Sequence, residues 1–579
     1  MKASLRFFML LLCLVATALL LALPLDRSRA QTTPGQVPAG QEPGSSTLIT
    51  GYVHNRQGQP VASAQVSLIA GTDAAPLAQA TTDAGGWYAL DVPNPLSAGL
   101  VVRITRPHYQ EVSLPLEPAA GQAIVMPGVM LLRRLSVSFW LATLIFIGML
   151  ALIGFGKMHN TLAALLGVTV IFVFSYLGRP LLDDLFVFDF YGALQFVDWN
   201  VIFLIMGMMI VIAVIERTGL FQWLAVNAYR LSGGRMWLLV PILMLVTGLA
   251  SAFLDNVTTM LLMTPITVQI ALALGITPLA LLMPEVMASN VAGVTTLVGT
   301  PTNILIGSYG HISFNAFLTN LTPGILLALL GLIVYSEFAY RDELQSGSAG
   351  VVSQVLLDKL SERAAITQPD HLKKAGVVGA AMLVLFVAGE RVHLVPSVIA
   401  LMGATVLLVW IKPDIEEMIE AVDWTTLVFF IALFIVVGAV QEVGLISYIA
   451  DGIGWLVGSN LLAAILAVIW LSALLSTVIP NIPFTAAMLP VIGFLTATVP
   501  GAQSKVLFYC LSVGSALGGN GSLIGASANL VTAGIAERAG YPITYLHFLR
   551  KGFPALLLTV ALAAIWLVVR FVMLHNPGV

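Results

Sequence analysis

Four short polar clusters interrupt the long apolar stretches of this 579-residue chain. SAFLDNVTT supplies Ser251, Asp255, Asn256, Thr258 and Thr259, and STVIPNIPFT supplies Ser476, Thr477, Asn481 and Thr485. GVTTLVGTPTN carries Thr295, Thr296, Gly299, Thr300, Pro301 and Asn303, while GGNGSLIGASAN carries Gly519, Asn520, Gly521, Ser522, Gly525, Ser527 and Asn529. Glycine lets a chain leave helical geometry, and Thr, Ser and Asn offer oxygens to a cation or donors to an anion. In hydrocarbon an unpaired backbone group is costly, so helix breaks survive only where protein or a bound solute satisfies them. The chemistry these residues are equipped for is reversible coordination of a small ion, with no catalytic group implied.

Asp255 is the ionisable member of the set. A carboxylate at bilayer depth costs about 2.5 to 3.5 kcal/mol on insertion scales and tends to be kept for ion or proton handling. Its counterpart in the later cluster is Pro480, so one half would carry a coupling ion; the competing role is a cap on the helix that follows. Glu285, after Pro284, is placed either within the first broken helix or at its cytoplasmic mouth. Asp198 and Asp423 each precede a tryptophan at the start of a span, where capping and interfacial anchoring are expected.

The elements that position these clusters are set by composition. With 58% hydrophobic and 9% charged residues, the chain has the balance of a membrane protein, and a net charge of -3 argues against nucleic-acid binding. Apolar segments of spanning length fall near 135–153, 160–178, 200–217, 321–340, 375–389, 394–411, 424–441 and 552–574. The regions 236–275 and 460–500 read as re-entrant hairpins, with two ordinary spans each as the alternative. The regions 277–310 and 505–540 read as broken helices.

The chain also repeats itself. Asp198-Trp199 recurs as Asp423-Trp424, Gly219-Leu220 as Gly444-Leu445, and NVTTMLLMTP as NIPFTAAMLP, each 225 residues on. SNVAGVTTLVGTPTN aligns with SALGGNGSLIGASAN one residue further along. With the N-terminus outside, Lys157, Arg217, Arg230, Arg235, Arg341, Lys359, Arg363, Lys373, Lys374, Lys412, Arg538, Arg550 and Lys551 fall inside, 13 against the five of Arg133, Arg134, Arg179, Arg391 and Lys505 outside. That distribution follows the positive-inside rule. Five spans plus a hairpin per half invert the second half, and inverted repeats build their site at the bilayer midplane from half-helices. The expected fold class is therefore an all-α polytopic membrane protein of two inverted repeats, preceded by a small β-sandwich.

At the N-terminus, Lys2 and Arg6 precede an apolar run to Leu25 and the small-x-small site Ser28-Arg29-Ala30, giving a signal peptide over 1–30, with an uncleaved anchor as the alternative. Residues 31–47 form a linker. Alternating runs such as ITGYVH, ASAQVSLIA and WYALDV predict a β-sandwich over 48–130, and the membrane domain occupies 131–579.

The order GYVHNRQGQPVASAQVSL then TTDAGGWYAL resembles the carboxypeptidase regulatory-like domain, which implies an accessory module. LASAFLDNVTTMLLMTP and GGNGSLIGASANLVTAGIAERAGY resemble the ion transporter superfamily, especially the melanosomal P protein group and its bacterial relatives, beside arsenite-efflux permeases, sodium/proton antiporters and citrate transporter-like proteins. The resemblance covers about 135 to 579. It implies that hairpin tips and unwound helices hold ion and substrate, and it points to Asp255, Asn256, Thr258, Thr296, Gly299, Thr300, Asn303, Asn481, Thr485, Asn520, Ser522, Gly525 and Asn529. Divalent-anion/sodium symporters carry Ser-Asn-Thr tips, from which Asp-Asn-Val-Thr and Pro-Asn-Ile-Pro depart.

The expected function is secondary active transport of a small ion, as an anion or by sodium/proton exchange, with an anion channel of the same fold as the alternative. The chain has no GxxxxGK[ST] loop, which argues against ATP hydrolysis; no enzyme activity is expected. No cofactor is expected; the coupling ion would be sodium or a proton, with no metal site beyond a transported or coupling sodium. The expected partners are the ion and the lipid bilayer, with no nucleic acid; a homodimer and a periplasmic partner docked on the β domain are compatible with the sequence. The expected place is the inner membrane, multi-pass, with the β domain extracytoplasmic.

Overall fold

The computed structural model describes residues 46–574 apart from 57, 71–74, 94–98, 117–122, 234 and 347–365. The expected signal peptide and most of the linker lie outside the described residues. The chain divides into two compact units at Leu132 and Arg133.

The first unit is a two-sheet β-sandwich. Strands β1 (Ser46–Asn55), β4 (Trp87–Pro93), β7 (Ala123–Val125) and β8 (Val129–Leu131) form one sheet, with β1 pairing the other three. Strands β2 (Gln65–Ala70), β3 (Ala78–Thr81), β5 (Leu100–Thr105) and β6 (Val112–Pro115) form the other, in the order β3-β2-β5-β6. Alternation in β5 buries Leu100, Val102 and Ile104 and leaves Val101, Arg103 and Thr105 partly open, the period-2 signature of a half-buried strand. These residues meet Ile49, Val53, Val66, Leu68 and Leu90 in one core.

The second unit is helical. The first half contains α1 (Val137–Gly154), α2 (Asn160–Val173, continued by a π-helical turn to Gly178), α3 (Phe190–Gln195), α4 (Trp199–Glu216), α5 (Leu220–Ser232), α6 (Met236–Ser251), α7 (Asn256–Ala273), α8 (Leu279–Ala292), α9 (Pro301–Gly310), α10 (Phe314–Ala339) and α11 (Arg341–Ser346). The second contains α12 (Pro369–Ala388), α13 (Pro396–Ile411), α14 (Ile415–Glu420), α15 (Trp424–Glu442), α16 (Leu445–Val457), α17 (Leu461–Ser476), α18 (Asn481–Thr498), α19 (Val506–Gly518), α20 (Ser527–Arg538) and α21 (Tyr545–Val568, continued to Met573). Among the described residues, nine helices are long and apolar enough to cross a membrane.

Sequence periodicity reappears in the helix boundaries. Trp199 and Trp424, Leu220 and Leu445, Met236 and Leu461, and Asn256 and Asn481 each begin a helix, 225 residues apart in every pair. Local chemistry fixes these starts. Asp198 caps α4 by accepting from Asn200 N (3.0 Å) and Val201 N (3.3 Å), and Asp423 caps α15 through Thr426 N (3.1 Å). Gly219 (φ 78°) and Gly444 (φ 96°) take the left-handed turn before α5 and α16, where a side chain would be strained.

Three spans extend further than hydropathy placed them: α10 starts at Phe314, α12 at Pro369 and α21 at Tyr545. Their opening turns carry residues such as Asn315, Asp370 and His547, which dilute an apolar window without breaking a helix. The short helices α5 and α16 fall between the anticipated elements.

Candidate functional site

Each hairpin tip docks on the break in its own half. In the first, only Ala252 to Asp255 separate α6 from α7, and in the second Thr477 to Pro480 separate α17 from α18. Ser251 Oγ donates to Ser289 O (3.0 Å), and Ser476 Oγ to Ser515 O (2.7 Å). Thr296 Oγ1 donates to Ala252 O, and its repeat mate Ser522 donates to Thr477 O. The backbone leaves helical geometry at both donors, with φ/ψ of -123°/161° at Thr296 and -148°/165° at Ser522.

Glycine makes room where tip and break meet, more tightly in the first half than in the second. A Cβ on Gly299 would stand 2.4 Å from Gly293 O and 2.9 Å from Ser251 O; one on Gly525 would stand 3.0 Å from Gly519 O and 3.1 Å from Ser476 O. Thr300 caps α9 through Asn303 N (3.2 Å) and shares a hydrogen bond with Thr302 Oγ1 (2.8 Å).

The asparagines divide by how many of their hydrogen-bonding positions are filled. Asn303 Nδ2 donates to Val294 O (3.1 Å) and Thr296 O (2.7 Å), and its Oδ1 accepts from Ser512 Oγ (2.6 Å). Asn529 Nδ2 donates to Gly519 O (2.8 Å) and Ser522 O (2.9 Å), and its Oδ1 accepts from Asn290 (3.0 Å). Both are braces that satisfy carbonyls freed by the break. Asn290 joins the halves: it donates to Asn520 Oδ1 (2.9 Å) as well as Asn529, and accepts from Asn256 Nδ2 (2.8 Å). Asn520 donates in turn to Met287 O (3.2 Å). Among the described residues, Asn481 makes no side-chain hydrogen bond, and Thr485 Oγ1, one turn further along α18, is buried without a partner.

The two tips differ in charge. Asp255 Oδ1 accepts from Val257 N and Thr258 N, both at 2.9 Å, and Oδ2 accepts from Thr258 Oγ1 (2.6 Å), so carboxylate and threonine together cap α7. At the same place in the second half stands Pro480, in a similar extended conformation (φ -52°, ψ 138°) but with no side-chain cap. At the N-terminus of α18 the backbone N–H groups of Asn481 and Ile482 are left without a side-chain cap, residue 483 being proline and Phe484 N already donating to Pro480 O (3.3 Å); α20, which begins at Ser527 after Ala526, likewise has no side-chain cap.

Glu285 is enclosed rather than at a mouth: its side chain is fully buried, with Thr247 Oγ1 donating to Oε1 at 2.7 Å. A cavity of about 840 Å³ lies beside α9, lined by residues including Asp198, Leu297, Ile304, Tyr309, His311, Glu390 and His393.

Sequence reasoning passed over Asn290, Ser512 and Thr247. Asn290 aligns with Ala516, so the repeat that singled out its neighbours gave it no weight; a polar residue three before a glycine break was the available signal. Thr247 reads as an ordinary residue of an apolar helix until α6 is laid against α8.

Apolar helices crossing the unit, hairpins meeting helix breaks and a buried amide cluster between two halves define a multi-pass membrane transporter. Residues 150–507 match the citrate transporter family (CitMHS), and the chain belongs to it. An uncharacterized transporter of Mycobacterium bovis is 38% identical over 438 residues, covering 75% of this chain and 99% of that protein. The human P protein is 34% identical over 511 residues, covering 75% of this chain and 60% of that one. Among solved structures, the YdaH transporter of Alcanivorax borkumensis aligns over 76% of this chain and 99% of its own, at 16% identity and a TM-score of 0.47. The family and the mycobacterial relative are transporters, not enzymes.

Proposed function

We propose that this chain is a secondary active transporter of the inner membrane that moves a small carboxylate-bearing anion by alternating access, driven by an ion gradient. The observation that carries the reading is the difference between the tips. At α7 the helix N-terminus is already answered by Asp255; at α18 it is open, and Asn481 and the unpartnered Thr485 hydroxyl lie one turn apart on the same face. Backbone N–H groups, an amide and a hydroxyl are the donors an anion needs at a half-helix terminus. The citrate transporter family supports the substrate class.

Alternating access follows from the repeat. Limb α6 has 16 residues, about 24 Å of helix, short of a hydrocarbon core of about 30 Å, and its tip meets the middle of a broken helix. That supports re-entrant hairpins and two inverted halves, with the extracytoplasmic β unit ahead of them.

The test is uptake of radiolabelled citrate into proteoliposomes under imposed proton or sodium gradients. Accumulation against the citrate gradient is expected. Purely downhill, unsaturable flux would make the protein a channel. Asn481→Ala and Thr485→Val each remove a donor worth about 1 to 3 kcal/mol when left unmatched, so the apparent affinity constant should rise roughly tenfold.

A further inference from the structure

Glu285 lies two turns into α8 with no part of its side chain exposed. Thr247 on α6 satisfies Oε1, but Oε2 has no hydrogen-bond partner, and neither has the Oγ1 of Thr267, which flanks the carboxyl from α7. Among the described residues Glu285 forms no ion pair. The charged groups on the elements packed against α8 are engaged or placed elsewhere. Asp255 caps the start of α7, Glu337 sits near the end of α10, and Glu537 and Arg538 are exposed at the end of α20; on α21, His547 lies in the first turn, Lys551 pairs with Glu343 at 3.4 Å, and Arg570 near the far end donates to Asn320 Oδ1 at 2.6 Å. Arg235 precedes α6 and Lys505 precedes α19, Lys505 donating to His311 O at 2.8 Å; Arg550 is exposed on α21.

An ionised carboxylate here is fully enclosed with no counter-charge, the arrangement a dry interior disfavours most. A neutral carboxylic acid removes that defect. Oε2 gains a hydrogen, the Thr267 hydroxyl beside it can serve either form as donor or acceptor, and Oε1 keeps its bond from Thr247. The site is single: the repeat mates of Glu285, Thr247 and Thr267 are Leu511, Ser472 and Ile492.

We propose that Glu285 is the proton-binding site of this transporter, taking up one proton on Oε2 and releasing it when water reaches the space between α6, α7 and α8. The only bond made or broken is that O–H bond. Because α6 and α7 are the limbs of the first hairpin, movement of the hairpin off α8 hydrates the carboxyl and favours its ionised form. Proton occupancy and hairpin position are thereby linked, which makes the proton the coupling ion if the transport reading above holds.

Infrared difference spectroscopy tests this without any substrate. In purified protein held in a detergent free of ester groups, the carbonyl stretch of a protonated carboxylic acid should be present at acid pH, fade as pH rises, and be missing from Glu285→Gln. Glutamine keeps the size and the bond from Thr247, and a monodisperse gel-filtration peak verifies that the variant folds. Asn481→Ala, which alters only the proposed anion site, should keep the band. In proteoliposomes, citrate uptake by wild type should rise with an inward proton gradient, and uptake by Glu285→Gln should no longer respond to that gradient. A spectrum with no Glu285-dependent acid band at any pH, or an undiminished response to the proton gradient in Glu285→Gln, overturns the proposal. Failure of wild type to move citrate, with the band present, counts against the transport reading alone.

Discussion

Asn290 of the first half donates a hydrogen bond to Asn520 of the second at 2.9 Å, and its other amide hydrogen reaches Asn529 at 3.0 Å. With Asn256 donating to its Oδ1, all three of these bonds are lost together in Asn290→Ala. Each buried group left unmatched costs about 1 to 3 kcal/mol, so this variant should be among the least stable single changes in the chain. Thermal denaturation of the detergent-solubilised protein checks it, with Asn227→Ala, on the exposed face of α5, as the near-silent comparison.

The two break glycines should not be equally sensitive. A methyl group at residue 299 meets three backbone carbonyl oxygens, at 2.4, 2.9 and 3.0 Å, which cannot rotate away. At residue 525 the nearest atoms stand at 3.0 and 3.1 Å, so small shifts suffice. Overpacking of this kind costs about 1 to 3 kcal/mol, and Gly299→Ala should lie at or beyond the top of that range with Gly525→Ala near the bottom. Melting midpoints of the two variants, measured side by side, decide it; an equal loss would show that the contacts relax alike.

The repeat was legible because identical chemistry starts equivalent helices: Asp198-Trp199 and Asp423-Trp424 cap and begin α4 and α15, and the Gly-Leu pairs turn into α5 and α16. The asparagines were legible as a group but not by role. Whether an amide braces the break, as Asn303 and Asn529 do, or stays free, as Asn481 does, depends on which carbonyls the break exposes nearby, and no spacing rule encodes that. Helices α5 and α16 escaped because 13 residues, about 20 Å of helix, are too short to register as a span. The Thr247–Glu285 contact joins residues 38 apart and exists only once α6 is packed on α8.

Hairpin and span make different predictions at the second tip. Val478 is 61% exposed between α17 and α18. A cysteine there, with native Cys510 and Cys13 replaced, should be shielded from membrane-impermeant maleimide on the cytoplasmic side if the limbs are re-entrant, and freely labelled from that side if they are two ordinary spans. Cysteines at positions 370 and 460 should be labelled from opposite sides, 370 from the cytoplasm. Labelling of both from one side would remove the inverted arrangement.

The β unit ends before Arg133, and every candidate site residue lies after it. Deleting residues 31–127 while keeping residues 1–30 should therefore leave citrate uptake per unit of membrane-inserted protein largely unchanged. A loss of uptake at equal abundance would assign the unit a part in gating or solute capture.

The last test exchanges the one charge that distinguishes the tips. Asp255 holds φ -66° and ψ 152°, and Pro480 holds φ -52° and ψ 138°, so an aspartate at 480 can take the capping conformation without moving the backbone. In Pro480→Asp the new carboxylate should accept from the Ile482 N–H, residue 483 being proline and offering none, stabilising the helix toward the lower end of the about 0.5 to 2 kcal/mol of an N-cap. The same bond would occupy a donor proposed for the substrate and set a negative charge against it. Citrate affinity should fall by tenfold or more while the melting midpoint holds or rises, a separation that simple damage to the fold does not produce. Asp255→Ala should do the reverse, lowering stability by a similar amount through loss of the cap on α7, while leaving the response to a proton gradient in place if that response belongs to Glu285. Unchanged citrate affinity in Pro480→Asp would move the substrate away from the second tip, and loss of the proton response in a folded Asp255→Ala would move the coupling ion to the first.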